Sequence, residues 1–147
     1  GRTQEAESLL KEALKIEPAP RISEILDKLQ KKPTPSEGDL LRKGQESLAN
    51  KAYIEASKIF IKIVESNPQS FEAYNGLGLV SWYFGKYDDA YLLFKKAVET
   101  GPENEDILLN VWDAAQMTGQ SDDARIVLQE ALNRNPSMIR IRELIEG

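Results

Sequence analysis

Three pairs of neighbouring carboxylates, Asp88-Asp89, Glu105-Asp106 and Asp122-Asp123, are the residues of this chain best suited by type to chemistry. Two adjacent acids can ligate a hard cation through oxygen or share a proton as an acid/base dyad. Their surroundings weigh against both. The chain has no histidine and no cysteine, so the commonest general base and the thiolate nucleophile are missing. Each pair also stands where a helix is expected to begin, and acids are favoured there by unpaired N–H groups and the helix dipole. No nucleophile, base and orienting group fall into one constellation. The reading is a protein without catalytic residues, metal or cofactor.

The aromatic residues offer a second kind of chemistry. Seven of the eleven, Tyr74, Trp82, Tyr83, Phe84, Tyr87, Tyr91 and Phe94, lie between Ala73 and Pro102. Rings concentrated in one stretch either fill a core or present anchors to a partner. The elements that position them decide between these readings.

A chain of 147 residues, 41% apolar and 29% charged, can bury a core and keep a charged surface. Its net charge of −5 argues against nucleic acid, because phosphate binding needs a basic face. The acid is concentrated in residues 71–138, where eleven acidic and five basic side chains leave −6. A solvated surface or a basic partner would both suit that segment. No apolar run reaches the ~20 residues of a membrane-spanning helix, so no membrane insertion is expected. The compartment stays open, with the cytoplasm favoured. The first residues read as the middle of a structural unit, so a longer protein is expected upstream.

Asn67-Pro68, Gly101-Pro102 and Asn135-Pro136 fall at a constant interval of 34. The same interval relates Ala56, Ala90 and Ala124, then Phe60, Phe94 and Leu128, then Ile63, Ala97 and Ala131, while Gly44 matches Gly78 and Gly85 matches Gly119. Within each interval the apolar spacing is helical; Tyr87, Ala90, Tyr91, Phe94, Ala97 and Val98 share one face. The stretch 57–65 alternates like a strand, but its register with 91–99 and 125–133 makes it a helix. Residues before proline leave the α region, so Asn67, Gly101 and Asn135 end helices. Gly85 and Gly119 supply turns inside the units, and Asn50 is expected to do so in the first. Asn104 and Ser121 are expected N-caps, and Ser36 with Asp39 forms a capping box. Gly76, inside a helix by register, should cost about 1 kcal/mol relative to alanine. Close packing or a ligand's approach would account for it. Each unit is thus two antiparallel helices, which bury their apolar faces only by stacking.

This pattern resembles the tetratricopeptide repeat. Residues 71–104 carry its features: Tyr74, Leu77-Gly78, Gly85, Ala90, Phe94, Ala97 and Pro102. Residues 37–70 keep Gly44, Ala56, Phe60 and Pro68. Residues 105–138 keep Gly119, Ala124, Ala131 and Pro136, with Trp112 where a small residue belongs. The resemblance implies an all-α fold, a right-handed α-solenoid of antiparallel helix pairs. In this division 1–32 is the tail of an upstream array, with an orphan second helix over 2–17 and a capping helix over 20–32. Residues 33–36 are a linker, 37–70, 71–104 and 105–138 are repeat units, and 139–147 is a C-terminal capping helix. Met138, Ile141, Leu144 and Ile145 should face inward there.

In similar proteins the first helices line the concave side. Carried over, that wall consists of Leu41, Gln45, Leu48 and Ala49, then Asn75, Leu79, Trp82 and Tyr83, then Leu109, Asp113, Gln116 and Met117, with Asn110 beside them. Tyr74, Tyr87, Tyr91, Phe94 and Phe84 are assigned to the core. The family's carboxylate clamp is not matched. Its places hold Leu41, Gln45, Gly76, Asp106 and Asn110, or one unit on, Asn75, Leu79, Asn110, Arg140 and Leu144. Of the asparagine ladder in arrays like that of O-GlcNAc transferase, only Asn110 is present. The resemblance implies a non-enzymatic module that binds a protein or peptide with apolar anchors. Leu79, Trp82, Tyr83 and Met117 would be the anchoring residues, and Gln45, Asn75, Asn110 and Gln116 would orient its backbone. The alternatives are a self-associating scaffold, a homo-oligomer covering the helix of 2–17, and a non-catalytic arm of a larger enzyme such as a glycosyltransferase.

Overall fold

The computed structural model describes Gln4, Glu5 and residues 34–147. The chain divides at Pro35–Ser36, and the second unit is described here. The expected helices over 2–17 and 20–32 lie outside the described residues.

Seven helices follow one another: α1 Glu37–Ala49, α2 Tyr53–Ser66, α3 Phe71–Tyr83, α4 Tyr87–Thr100, α5 Glu105–Thr118, α6 Ser121–Arg134 and α7 Ile139–Glu146. Among the described residues there is no strand. The helices form an all-α, right-handed solenoid of antiparallel pairs. Each helix packs on the next, and α1 also reaches α3 as α5 reaches α7.

The helices begin in two ways. First helices carry side-chain caps. Ser36 Oγ accepts from the Asp39 amide at 3.1 Å, and Asp39 returns the bond to the Ser36 amide at 3.4 Å. Ser70 Oγ accepts from the Ala73 amide at 3.4 Å. Asn104 Oδ1 accepts from the amides of Asp106 and Ile107 at 2.9 and 3.2 Å. The second helices α2, α4 and α6 have no side-chain cap and instead start from a tight left-handed turn. Lys51, Gly85 and Gly119 hold φ of 60°, 73° and 73°. One residue on, the amides of Ala52, Lys86 and Gln120 reach back to the carbonyls of Ser47, Ser81 and Ala115 at 2.8–2.9 Å. This is the Schellman closure, which satisfies the last carbonyls of one helix and launches the next.

Two sequence expectations fail here. Asn50 is not the left-handed residue; its φ is −86° and Lys51 takes the position. The closure geometry fixes the site at the residue in register with Gly85, whatever its type. Ser121 does not cap α6; it is the first helical residue, and Gln120 precedes it without a cap bond. The helix ends before proline are as expected: Asn67, Gly101 and Asn135 leave the α region with φ of −138°, −121° and −136°.

The core is built on rings set against glycines. Phe60 of α2 is fully buried. A Cβ on Gly44 of α1 would stand 2.6 Å from its ring, and one on Gly76 of α3 would stand 2.5 Å from it. The ring is thus clamped between two helices that both lack a side chain at the contact. Phe94 of α4 lies in the same way against Gly78 of α3, and Phe71 against Gly101. Packing therefore accounts for Gly76. In the third pair the sizes are exchanged: Trp112 occupies the glycine place, half-buried, and Leu128 the phenylalanine place, fully buried. Arg125 lies over the Trp112 ring, 5.6 Å from its centre. Met138, which precedes α7, and Ile141 within it are buried against the third pair, with Leu144 and Ile145 half-buried on the same core.

Tyr91 and Phe94 are buried as expected, and Tyr74, half-buried, donates its hydroxyl to the Pro68 carbonyl at 2.9 Å. Phe84 departs from its core assignment. As the cap residue of α3 it stays 52% exposed, because the turn carries it beyond the neighbouring helix.

The acidic pairs open α4, α5 and α6. Asp123 does more than meet a dipole. It accepts a hydrogen bond from the Tyr91 hydroxyl and one from Lys95 Nζ at 2.9 Å, joining α4 to α6. Lys95 also stands over the Tyr91 ring. These donors hold the Asp123 carboxyl below its ordinary value of 3.8. Burial, then the bond to Asp123, push the Tyr91 phenol above its ordinary value of 10.0.

Two predictions follow from the packing and from this cluster. In Gly76→Ala, overpacking of about 1–3 kcal/mol should outweigh a helix-propensity gain of about 1 kcal/mol. At Gly38, where a Cβ would meet nothing closer than 3.9 Å, alanine should instead stabilise. Urea midpoints of the two variants are expected to move in opposite directions; a higher midpoint for Gly76→Ala would refute the clamp. The second prediction concerns pH. A depressed folded-state pKa gives Asp123 a stabilising contribution that is present above about pH 4 and lost as pH falls through the lower folded value. A raised one gives Tyr91 a contribution present below about pH 10 and lost above it. Asp123→Asn should flatten the acid limb of a melting-temperature profile and leave most of the alkaline limb, which burial of Tyr91 sets; an unchanged acid limb would show that Asp123 does not couple to folding.

Candidate functional site

The first helices α1, α3 and α5 present the residues that the sequence assigned to a wall. Leu41 is half-buried in the core cluster around Phe60, and Gln45 is exposed. Asn75 of α3 and Asn110 of α5 are half-buried and bonded to each other, Asn110 Nδ2 donating to Asn75 Oδ1 at 3.0 Å. Leu79, Trp82 and Leu109 are half-buried against the core cluster around Phe94. Tyr83 and Met117 are 58% and 53% exposed, and Asp113 and Gln116 are exposed beside them.

Five of these residues come together. Leu79, Trp82, Tyr83, Asn110 and Asp113 line a cleft of ≈150 Å³ between α3 and α5, with Phe94 as the sixth wall. Its rings are held from behind. Trp82 meets Tyr87 edge-on with centres 4.8 Å apart and planes at 70°. Tyr83 stacks on Tyr53 at 4.7 Å and 14°. Asp113 is mid-helix, and desolvation holds its carboxyl above the ordinary value of 3.8. Leu41, Gln45, Asn75, Leu109, Gln116 and Met117 stand outside this cleft. Met117 borders a wider, shallower depression of ≈640 Å³ formed with the turn Gly85–Asp89 and Thr118. That depression is mostly turn backbone and charged side chains, so the smaller cleft has the more specific lining.

Sequence reasoning missed two contributors. Phe94 was assigned wholly to the core, yet its ring also faces the cleft. Tyr53, which backs Tyr83, sits 34 residues before Tyr87, which backs Trp82; that spacing was the available signal. Phe84 meets Tyr53 edge-on at 6.0 Å and, with Ile54, leaves an apolar patch on the turn edge. Arg140 pairs at the surface with Glu105 at 2.9 Å and Asp106 at 3.0 Å. A ligand carboxylate would have to compete with these two acids for it. Among the described residues no group of three or more His, Cys, Asp or Glu could hold a metal ion, and no helix is long and apolar enough to cross a membrane.

The family model that matches the chain, over residues 82–146, is the tetratricopeptide repeat. The pair α1–α2, before residue 82, closes on the same left-handed turn, at Lys51, as the two pairs that follow it at Gly85 and Gly119. Solved structures agree on the fold. YrrB, described as a TPR protein with an unusual peptide-binding site, is 22% identical over 75% of this chain, with a TM-score of 0.64. The chain spans 57% of the length of YrrB. MamA is 19% identical over 92% of this chain and 70% of its own, with a TM-score of 0.63. No curated protein matches the chain.

The environment of Asp113 can be read directly. Its carboxyl is expected to titrate above 3.8 in a ¹³C-detected NMR titration, and Asp113→Asn to leave the fold as stable or more stable at pH 7, since a raised folded value means that the charged form opposes folding. A midpoint at or below 3.8 would show that the cleft does not desolvate this group.

Proposed function

We propose that this protein is a non-enzymatic protein–protein interaction module that holds a peptide segment along the face of α1, α3 and α5. The observation that carries the reading is the α3–α5 cleft, in which Trp82, Tyr83 and Leu79 meet the amide of Asn110. Tryptophan, tyrosine and methionine are the residues that most often anchor a partner, and apolar patches with polar rims mark docking sites. The half-buried Leu79, Leu109 and Trp82 and the exposed Tyr83 and Met117 form such a surface, with Gln45, Asn75, Asn110 and Gln116 as the groups that would orient a backbone. Because the rings are already packed from behind, the groove is preformed, and ordering costs fall mainly on the peptide. The peptide-binding site attributed to YrrB, a protein of the same fold, is consistent with this use.

The test is a selection of random twelve-residue peptides displayed on phage against the whole chain, followed by calorimetry of the peptides recovered. Tyr83→Ala and Trp82→Ala/Tyr83→Ala are compared with wild type after circular dichroism establishes equal helix content. Tyr83 is largely exposed, so its single variant should fold even if the double variant does not. Loss of a hot-spot ring should weaken binding about tenfold or more. Peptides that bind all three proteins equally would move the site off this face.

A further inference from the structure

We infer that the cleft between α3 and α5 receives a basic side chain of the bound segment, an arginine above all; the inference rests on the groove reading above. Its size sets the scale. At ≈150 Å³ it holds the volume of about five waters, well below the ~300–1,000 Å³ of a small-molecule pocket. One long side chain fits that space; a cofactor does not.

Its lining sets the chemistry. Two of the six walls, Trp82 and Tyr83, are electron-rich rings, a third is Phe94, and Asp113 brings a carboxylate. A guanidinium is the side-chain group that meets all of these at once. Its plane stacks on an aromatic face, its fork pairs with a carboxylate, and its aliphatic stem lies along Leu79. Asn110 spends its amide N–H on Asn75, which leaves its carbonyl oxygen to accept another bond.

The charge of the two helices points the same way. Between them α3 and α5 carry Glu72, Glu105, Asp106 and Asp113 and no basic residue. Arg140 pairs with Glu105 and Asp106. Among the described residues no cation pairs with Asp113. Partial desolvation already disfavours its charged form. An apolar anchor in the cleft would complete that desolvation and leave the carboxylate unpaired, which is the costly arrangement. An acidic anchor would add repulsion. A cation turns the same desolvation into a stronger attraction.

The test uses the peptides selected against the whole chain. Those whose binding depends on Tyr83 are expected to share an arginine or lysine at one position. Replacing that arginine by citrulline, its neutral isostere, should weaken binding about tenfold, as should Asp113→Asn, and the two changes together should cost no more than either alone. Groove-dependent peptides without a basic residue, or equal affinity for wild type and Asp113→Asn, would overturn the inference and leave the groove reading standing. Peptides indifferent to Tyr83 and Trp82 would overturn both.

Discussion

A flat ring pressed between two backbones is the contact on which this array depends. Phe60 reaches from the second helix of one pair into the space between Gly44 and Gly76, which belong to the first helices of that pair and of the next. One side chain thereby sets the spacing within a pair and between pairs. A helix glycine is unfavourable by about 1 kcal/mol relative to alanine, and here the penalty is offset by burial of an aromatic ring on both faces. Phe94 against Gly78 repeats half of the arrangement. In the third pair the ring moves to the first helix as Trp112, and α5 and α6 lie less closely apposed than α3 and α4. The short helix α7, through Ile141, and Met138 before it cover apolar surface of this pair.

The helices were legible because their signals are local and repeated. Proline at intervals of 34 forces the preceding residue out of the α region, and aligned positions such as Phe60 and Phe94 carry the same burden in each pair. The capping box at Ser36 was legible because both of its members lie within four residues. What escaped was set by geometry across the turn. Asparagine tolerates a positive φ better than lysine, so composition favoured Asn50. The Schellman closure counts residues and does not weigh them, and so the strain fell on Lys51. Phe84 was assigned inward from its place near a core stripe, but a residue one step past a helix end no longer follows the helix's periodicity.

The candidate cleft was half legible for a related reason. The register placed Leu79, Trp82, Tyr83, Asn110 and Asp113 on first helices, and the structure brings these five together. It could not show that Leu41, Gln45, Gln116 and Met117 stand apart from them, because how far neighbouring helices separate along their length depends on the side chains between them. Nor could it show that Asn75 and Asn110 bond to each other before any ligand arrives. Phe94 links the two levels. The ring that packs on Gly78 also faces the cleft, so the geometry of the cleft is inherited from the core rather than from a loop.

The acids of this chain separate into two kinds on the same physical ground. Asp88, Asp89, Glu105, Asp106, Asp122 and Asp123 all lie in first turns, where unpaired amides and the dipole favour a negative charge. Asp123 gains further from Tyr91 and Lys95, and its carboxyl is held down. Asp113 has none of these supports. It lies mid-helix beside aromatic rings, and partial desolvation holds its carboxyl up. Of the carboxylates on α3 and α5 that Arg140 does not engage, it is the one set among rings in a cleft sized for a single side chain. That combination sets Asp113 apart from the helix-start acids that the sequence puts on show.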